Sequence, residues 1–79
     1  MPEEPKEINK YENRFGIVAI RKGYITLGQL IKARRIQSQE DLYQEEHRLI
    51  GEILFSQGHM SPVEIEDVLK TMFKERGST

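Results

Sequence analysis

The 79-residue sequence has no cysteine, only three prolines and no long uninterrupted apolar run. The absence of cysteine excludes disulfides, thiolate metal ligands and a cysteine nucleophile. No segment approaches the roughly 20 consecutive apolar residues of a membrane-spanning helix. Residues 1–10 are acidic and polar, unlike a secretory signal peptide, so we expect a cytoplasmic protein that does not insert into membranes.

Acidic residues are also missing from residues 13–39, a segment that holds six Lys/Arg. Residues 1–39 carry eight Lys/Arg against four Glu, a charge of +4, whereas residues 40–79 carry four Lys/Arg against nine Asp/Glu, a charge of −5. The net charge of −1 hides this asymmetry. The separation indicates either an anionic partner for the first half or a basic first half that faces the acidic second half.

What the chain does contain is a tandem repeat with an offset of 35 residues. Residues 14–37 and 49–72 align so that Gly16 falls on Gly51 and Gly23 on Gly58, and most apolar positions coincide. Each copy has the pattern of a helix, a glycine stop and a second helix, too small to bury its apolar stripe alone. The sequence therefore predicts an all-α fold of four short helices, arranged as two stacked antiparallel helical hairpins. The single domain spans residues 9–75, between a flexible tail at 1–8 and a frayed C-terminus at 76–79.

Capping patterns place the helix ends of the first copy. Asn9 and Glu12 form a possible capping box for a first helix over residues 9–22, which Gly23 ends in a left-handed conformation. Thr26 and Gln29 form a second box for a helix over 27–37. The apolar area of this second helix comes from five residues: Leu27, Leu30, Ile31, Ala33 and Ile36.

The second copy has the stronger signals. Residues 38–46 either extend the second helix or form an early turn of the third, which we place from His47 to Gly58. Ser61, Pro62 and Glu64 then mark the start of the fourth helix, because serine caps, proline suits the first helical position and glutamate completes the box.

A comparison of the two copies singles out a candidate site. Three polar residues of the first copy replace apolar residues of the second: Arg14 for Leu49, Arg34 for Leu69 and Gln37 for Met72. In an antiparallel hairpin Arg14 and Gln37 should lie close together, beside Gly16. Arg14, Gly16, Arg34 and Gln37 thus form a candidate anion- or nucleotide-binding surface. Alternatively, the arginines extend along the hairpin edge, Gln37 caps its helix, and the glycines serve helix packing.

The spacing of these residues resembles the repeated motif in the N-terminal accessory domains of type II secretion and type IV pilus assembly ATPases. The first copy matches that motif at Arg14, Gly16, Gly23, Leu30 and Gln37. The second copy matches at Gly51, Leu54, Gly58, Ile65 and Leu69, but has Leu49 and Met72 in place of the arginine and glutamine. In some members of the family, tandem copies of the motif bind cyclic di-GMP. The resemblance covers residues 14–72 and implies cyclic di-GMP as a possible ligand.

No catalytic or metal-binding pattern is present, because His47 and His59 have no partner at a ligand spacing and no phosphate-binding loop occurs. We expect a non-enzymatic helical interaction or regulatory module, of bacterial origin and without a cofactor. It would dock an acidic protein partner in a secretion, pilus or signalling assembly. A cyclic di-GMP sensor is the alternative. A small DNA-binding module is less expected, since the net charge is near zero.

Overall fold

The computed structural model describes residues 6–43 and 48–77, and the side chains of residues 10–43 and 48–74. These ranges contain no strand and four helices: α1 (Lys6–Arg21), α2 (Leu27–Leu42), α3 (Ile50–Ser56) and α4 (Pro62–Gly77). The all-α prediction of four stacked helices is confirmed.

Several helix boundaries differ from the prediction. α1 begins at Lys6, so residues 6–8 of the predicted tail are helical and Asn9 lies inside the helix rather than at its cap. α2 continues through Ser38 to Leu42, because no glycine or proline interrupts the polar connector. α3 begins only at Ile50, and α4 runs on to Gly77. Residues 1–5 and 78–79 of the predicted termini, together with His47, lie outside the described residues.

Both helix-ending glycines adopt a left-handed conformation, as predicted for Gly23, with φ of 82° at Gly23 and 80° at Gly58. The residue after each glycine donates its backbone N–H back into the preceding helix. Tyr24 N lies 3.0 Å from Ala19 O, and His59 N lies 2.9 Å from Leu54 O. An alanine in either position would be strained by its Cβ.

Both predicted capping boxes after these glycines are present. Gln29 N donates to Thr26 Oγ1 at 3.1 Å, and Thr26 N donates to Gln29 Oε1 at 2.9 Å. The same reciprocal pair joins Ser61 and Glu64, at 3.2 Å and 2.9 Å. The hydrogen bonds of the two loops therefore correspond at the offset of 35 residues, which local sequence alone had predicted.

The core lies between the two copies rather than within either one. The closest helix packing is of α2 on α3 and of α1 on α4, with α1 also against α3. Most buried apolar positions coincide at the offset of 35 residues. The buried apolar side chains are Phe15, Val18, Ala19, Ile25, Leu30, Ala33, Ile50, Ile53, Leu54, Met60 and Val68. This packing fits the expectation that neither hairpin could bury its apolar stripe alone.

The interior glycines Gly16 and Gly51 differ in their surroundings. A Cβ at Gly16 would lie 2.7 Å from Leu30 Cδ1 within the first copy, whereas a Cβ at Gly51 would lie 3.1 Å from Phe15 Cζ of the other copy. Leu30 and Phe15 are not equivalent at the offset of 35 residues. Both glycines allow a large side chain to approach a helix backbone closely. Duplication of one ancestral hairpin stays a prediction.

Candidate functional site

Glu12 is the one described polar side chain buried in the core, with 3% of its surface exposed. Its Oε1 accepts a hydrogen bond from Gln37 Nε2 at 2.6 Å and another from the backbone N–H of Ile50 at 2.9 Å. Gln37 Nε2 also donates to the backbone carbonyl of Arg48 at 3.0 Å. The Glu12 carboxylate of α1 thus caps the N-terminus of α3. The Gln37 side chain of α2 donates both to this carboxylate and to the backbone just before α3.

Sequence analysis missed this role, because it assigned Glu12 to a local capping box. The helical spacing of Glu12 nevertheless indicated a buried position. Glu12 lies three, four and seven residues before Phe15, Gly16 and Ala19, which places it on the buried stripe of α1. The neighbouring Tyr11 is 40% exposed.

Gln37 and Gly16, two of the four candidate ligand residues, make contacts inside the fold. Gln37 is half-buried and donates to Glu12 and Arg48. The space left by Gly16 is occupied by Leu30 of α2, whose Cδ atoms both lie within 2.7 Å of the missing Cβ position. The glycine therefore permits the Leu30 side chain to approach the backbone of α1 closely, in line with the packing role that was the alternative explanation from the sequence.

The two candidate arginines lie nearer the surface. Arg34 Nη1 donates to Asn13 Oδ1 at 2.6 Å, which joins α2 to α1. Arg14 is exposed. Gln37 hydrogen-bonds Glu12, the α1 residue on the buried side, and the proximity of Arg14 and Gln37 stays a prediction. Binding of an anion at this surface stays a prediction.

A strip of exposed apolar side chains follows the seam between α1 and α2. Starting from the Asn13–Arg34 hydrogen bond, one turn toward the loop leads to Ile17 on α1 and Ile31 on α2, because the helices run antiparallel. A further turn along α2 leads to Leu27. Their exposed fractions are 45%, 51% and 61%. Leu27 and Ile31, which supply apolar area to the second helix, are thus exposed rather than part of the core.

Basic side chains surround this strip. On α1, Arg14 and Arg21 lie one turn before and one turn after Ile17, and both are exposed. On α2, Lys32 and Arg35 are exposed next to Ile31 and one turn beyond it. We call the surface formed by the strip and these four basic residues the α1–α2 outer face. It combines an apolar centre with a positively charged rim.

A shallow apolar groove lies between α3 and α4. We call it the α3–α4 groove, and its lining residues are Phe55, Pro62, Val63, Ile65, Glu66 and Leu69. Val63 is 74% exposed and Phe55 is 52% exposed. Glu66 lines the groove, and Glu52 is exposed one turn before Phe55. The acidic side chains beside this groove are thus Glu52 and Glu66, and Lys70 is exposed one turn beyond Glu66.

Two polar clusters tie the ends of the helices together. The Arg48 guanidinium binds the Glu40 carboxylate through Nε and Nη2, and its Nη1 lies 3.1 Å from Ser56 Oγ. This arginine holds the pKa of Glu40 below its ordinary value. Since Glu40 is on α2 and Ser56 on α3, the guanidinium connects the two helices at the surface.

The second cluster joins the first loop to α4. The Tyr24 hydroxyl donates to Asp67 Oδ2 at 2.5 Å, and Lys22 Nζ lies 3.2 Å from the same oxygen. The hydrogen bond from Tyr24, followed by that from Lys22, lowers the pKa of Asp67. The same bond raises the pKa of Tyr24. These groups serve as structural contacts between the copies.

No cluster of three or more potential metal ligands occurs among the described residues. His59 Nδ1 lies 3.3 Å from Gln29 Nε2, a contact that links the second loop to α2. None of the described helices is long and apolar enough to cross a membrane.

Comparison with known proteins gives no match, whether to a protein-family model, a curated protein or a solved structure. The likeness to the accessory domains of secretion and pilus ATPases stays a prediction from the motif residues.

Proposed function

We propose that this chain is a non-enzymatic binding module that docks an acidic, amphipathic segment of a protein partner on its α1–α2 outer face. The observation that carries the proposal is the exposure of Ile17, Leu27 and Ile31 in one strip. Apolar strips bordered by polar side chains mark interaction surfaces when they lie together, whereas isolated exposed apolar residues are ordinary.

The charge of the rim selects the partner. Residues 13–39 contain no acidic side chain, so the α1–α2 outer face has a single sign. A positive rim speeds association with a negative partner and disfavours a positive one. The apolar centre favours a protein segment over nucleic acid, since phosphate contacts need a continuous basic surface. An acidic helix with leucine-like side chains at three- and four-residue spacing satisfies both parts of the surface.

Fluorescence anisotropy tests the proposal. The probe is a labelled acidic amphipathic peptide of about four helical turns, and its control is a peptide of the same composition in scrambled order. We expect micromolar binding of the first peptide at low salt, weakened by added salt because exposed charges are screened. Ile31→Glu should weaken binding by about tenfold or more, equivalent to about 1.4 kcal/mol.

Tyr43→Glu is the matched control, because it introduces the same charge at an exposed residue outside the α1–α2 outer face. It should leave binding of the peptide unchanged. Equal binding of the scrambled peptide, or an Ile31→Glu protein that binds as the wild type does, would contradict the proposal. Circular dichroism of each variant verifies that it is folded.

The family resemblance supplies the second hypothesis, a cyclic di-GMP sensor in a bacterial secretion, pilus or signalling assembly. The exposed Arg14 favours it, whereas the internal contacts of Gly16 and Gln37 do not. Isothermal titration calorimetry with the dinucleotide separates the two functions. We expect no heat of binding to the folded protein. Micromolar binding that Arg14→Ala abolishes would overturn the protein-docking proposal.

A further inference from the structure

The two exposed apolar surfaces of this chain occupy equivalent places in the two copies. Subtracting 35 from the numbers of the residues that line the α3–α4 groove gives Ile20, Leu27, Gly28, Leu30, Ile31 and Arg34. Leu27 and Ile31 belong to the α1–α2 outer face, and Arg34 borders it. The groove and the outer face therefore share equivalent positions on α4 and α2, at Pro62 and Leu27 and at Glu66 and Ile31.

At these corresponding places, the polar and apolar residues are exchanged. Glu66 of the groove stands where the first copy has Ile31, and Leu69 stands where it has Arg34. Glu52, beside the groove, corresponds to Ile17. One surface is consequently apolar with acidic residues and the other is apolar with basic residues. Surfaces of this kind are complementary in charge and share an apolar centre.

We propose that the α1–α2 outer face of one molecule binds the α3–α4 groove of a second copy of this chain. The proposal rests on the function proposed above, because it uses the same outer face and names the partner as a second copy. α4 of that copy has the required character. It is a helix with Val63 and Glu66 exposed in its first two turns.

The contact joins two different surfaces, so it is heterologous. After it forms, one molecule still has a free groove and the other still has a free outer face. Further copies therefore add as the protein concentration rises, which produces rings or chains. The Coulomb part of the attraction lies at exposed side chains and falls as salt is added. The apolar part, centred on Ile31 and Val63, remains.

Analytical ultracentrifugation of the full chain at low and high salt measures the association. We expect the average mass to rise with protein concentration, and to rise less at high salt. Ile31→Glu disables the outer face, and Val63→Lys disables the groove. Each variant alone should associate at least about tenfold more weakly than the wild type. Tyr43→Glu, at a residue that is 71% exposed and outside both surfaces, is the control and should associate normally.

A mixture of the two disabled variants provides the decisive measurement. The Ile31→Glu protein retains its groove and the Val63→Lys protein retains its outer face, so one intact contact can form between them. The mixture should give a one-to-one complex that does not grow further. Thermal unfolding followed by circular dichroism verifies that both variants are folded.

Three results would overturn the proposal: a wild-type protein that stays monomeric at every concentration and salt, association that neither variant weakens, or a mixture that forms no complex. The peptide-binding assay separates this failure from failure of the proposed function. If the acidic peptide binds while the chain stays monomeric, the outer face docks a different protein and self-association is wrong. If the peptide does not bind either, both proposals fail.

Discussion

Replacement of Glu12 by alanine should destabilise this domain strongly, because one carboxylate connects α1, α2 and α3. The substitution removes two hydrogen bonds to a charged acceptor, from Gln37 at 2.6 Å and from Ile50 N at 2.9 Å. Hydrogen bonds to charged groups contribute about 1.5–3 kcal/mol each. Gln37 keeps its second acceptor on Arg48, whereas the N–H of Ile50 stays buried without one.

We therefore expect Glu12→Ala to lower the free energy of unfolding by about 3 kcal/mol, a large part of the total of about 5–15 kcal/mol for a typical domain. Glu12→Gln keeps an oxygen acceptor in the same place and should lose only about 1 kcal/mol. Urea unfolding followed by circular dichroism at the helical band measures both values.

Glu52→Ala is the matched control, because Glu52 also accepts a hydrogen bond at the start of α3, from Leu49 N at 2.7 Å. That bond is local and exposed, so its loss is largely replaced by water and should matter by about 0.5 kcal/mol. Equal destabilisation by Glu12→Ala and Glu52→Ala would refute the reasoning that burial and long-range connection give Glu12 its importance.

Three further predictions concern stability. Gly28→Ala should stabilise the protein by about 0.5–1 kcal/mol, since the helical site is open and alanine favours helix. Gly16→Ala should destabilise it by about 1 kcal/mol, because overlap with Leu30 outweighs that gain, and Leu30→Ala in the same protein should remove the difference. The pKa values of Asp67 and Glu40 are lowered in the folded state from their ordinary values of 3.8 and 4.5. Both carboxylates therefore stabilise the folded state at a pH above those ordinary values. The melting temperature should therefore fall as the pH drops below about 4.5, and by less in Tyr24→Phe; a melting temperature independent of pH in this range would contradict the assignment.

Local signals in the sequence predicted the local structure well. The capping boxes at Thr26 and Ser61 and the left-handed conformation of Gly23 are confirmed, because each depends on residues within a few positions of one another. The start of α1 was placed three residues late, since Asn9 and Glu12 also match a capping box. Local patterns of this kind cannot distinguish a cap from a polar residue that a distant helix requires.

The sequence did not predict which apolar residues of α2 are buried. Leu30 and Ala33 are buried, but Leu27 and Ile31 face outward. The apolar residues of this helix surround too much of its circumference for one buried stripe, so periodicity could not select the core side. The position of α3 determines which side of α2 is buried, and this position depends on contacts between the copies. The outer face could therefore be found only from the structure.

Gln37, which the sequence placed in a ligand-binding site, likewise contacts distant residues of the fold. A ligand that used its amide would first have to displace the Glu12 carboxylate and the Arg48 carbonyl, and would leave Glu12 buried with one donor fewer. We therefore expect Gln37→Ala to lower the free energy of unfolding by about 1–3 kcal/mol and to leave binding of the acidic peptide to the outer face unchanged. Urea unfolding and anisotropy on the same preparation measure the two quantities. Normal stability with lost binding would place Gln37 in the binding site after all.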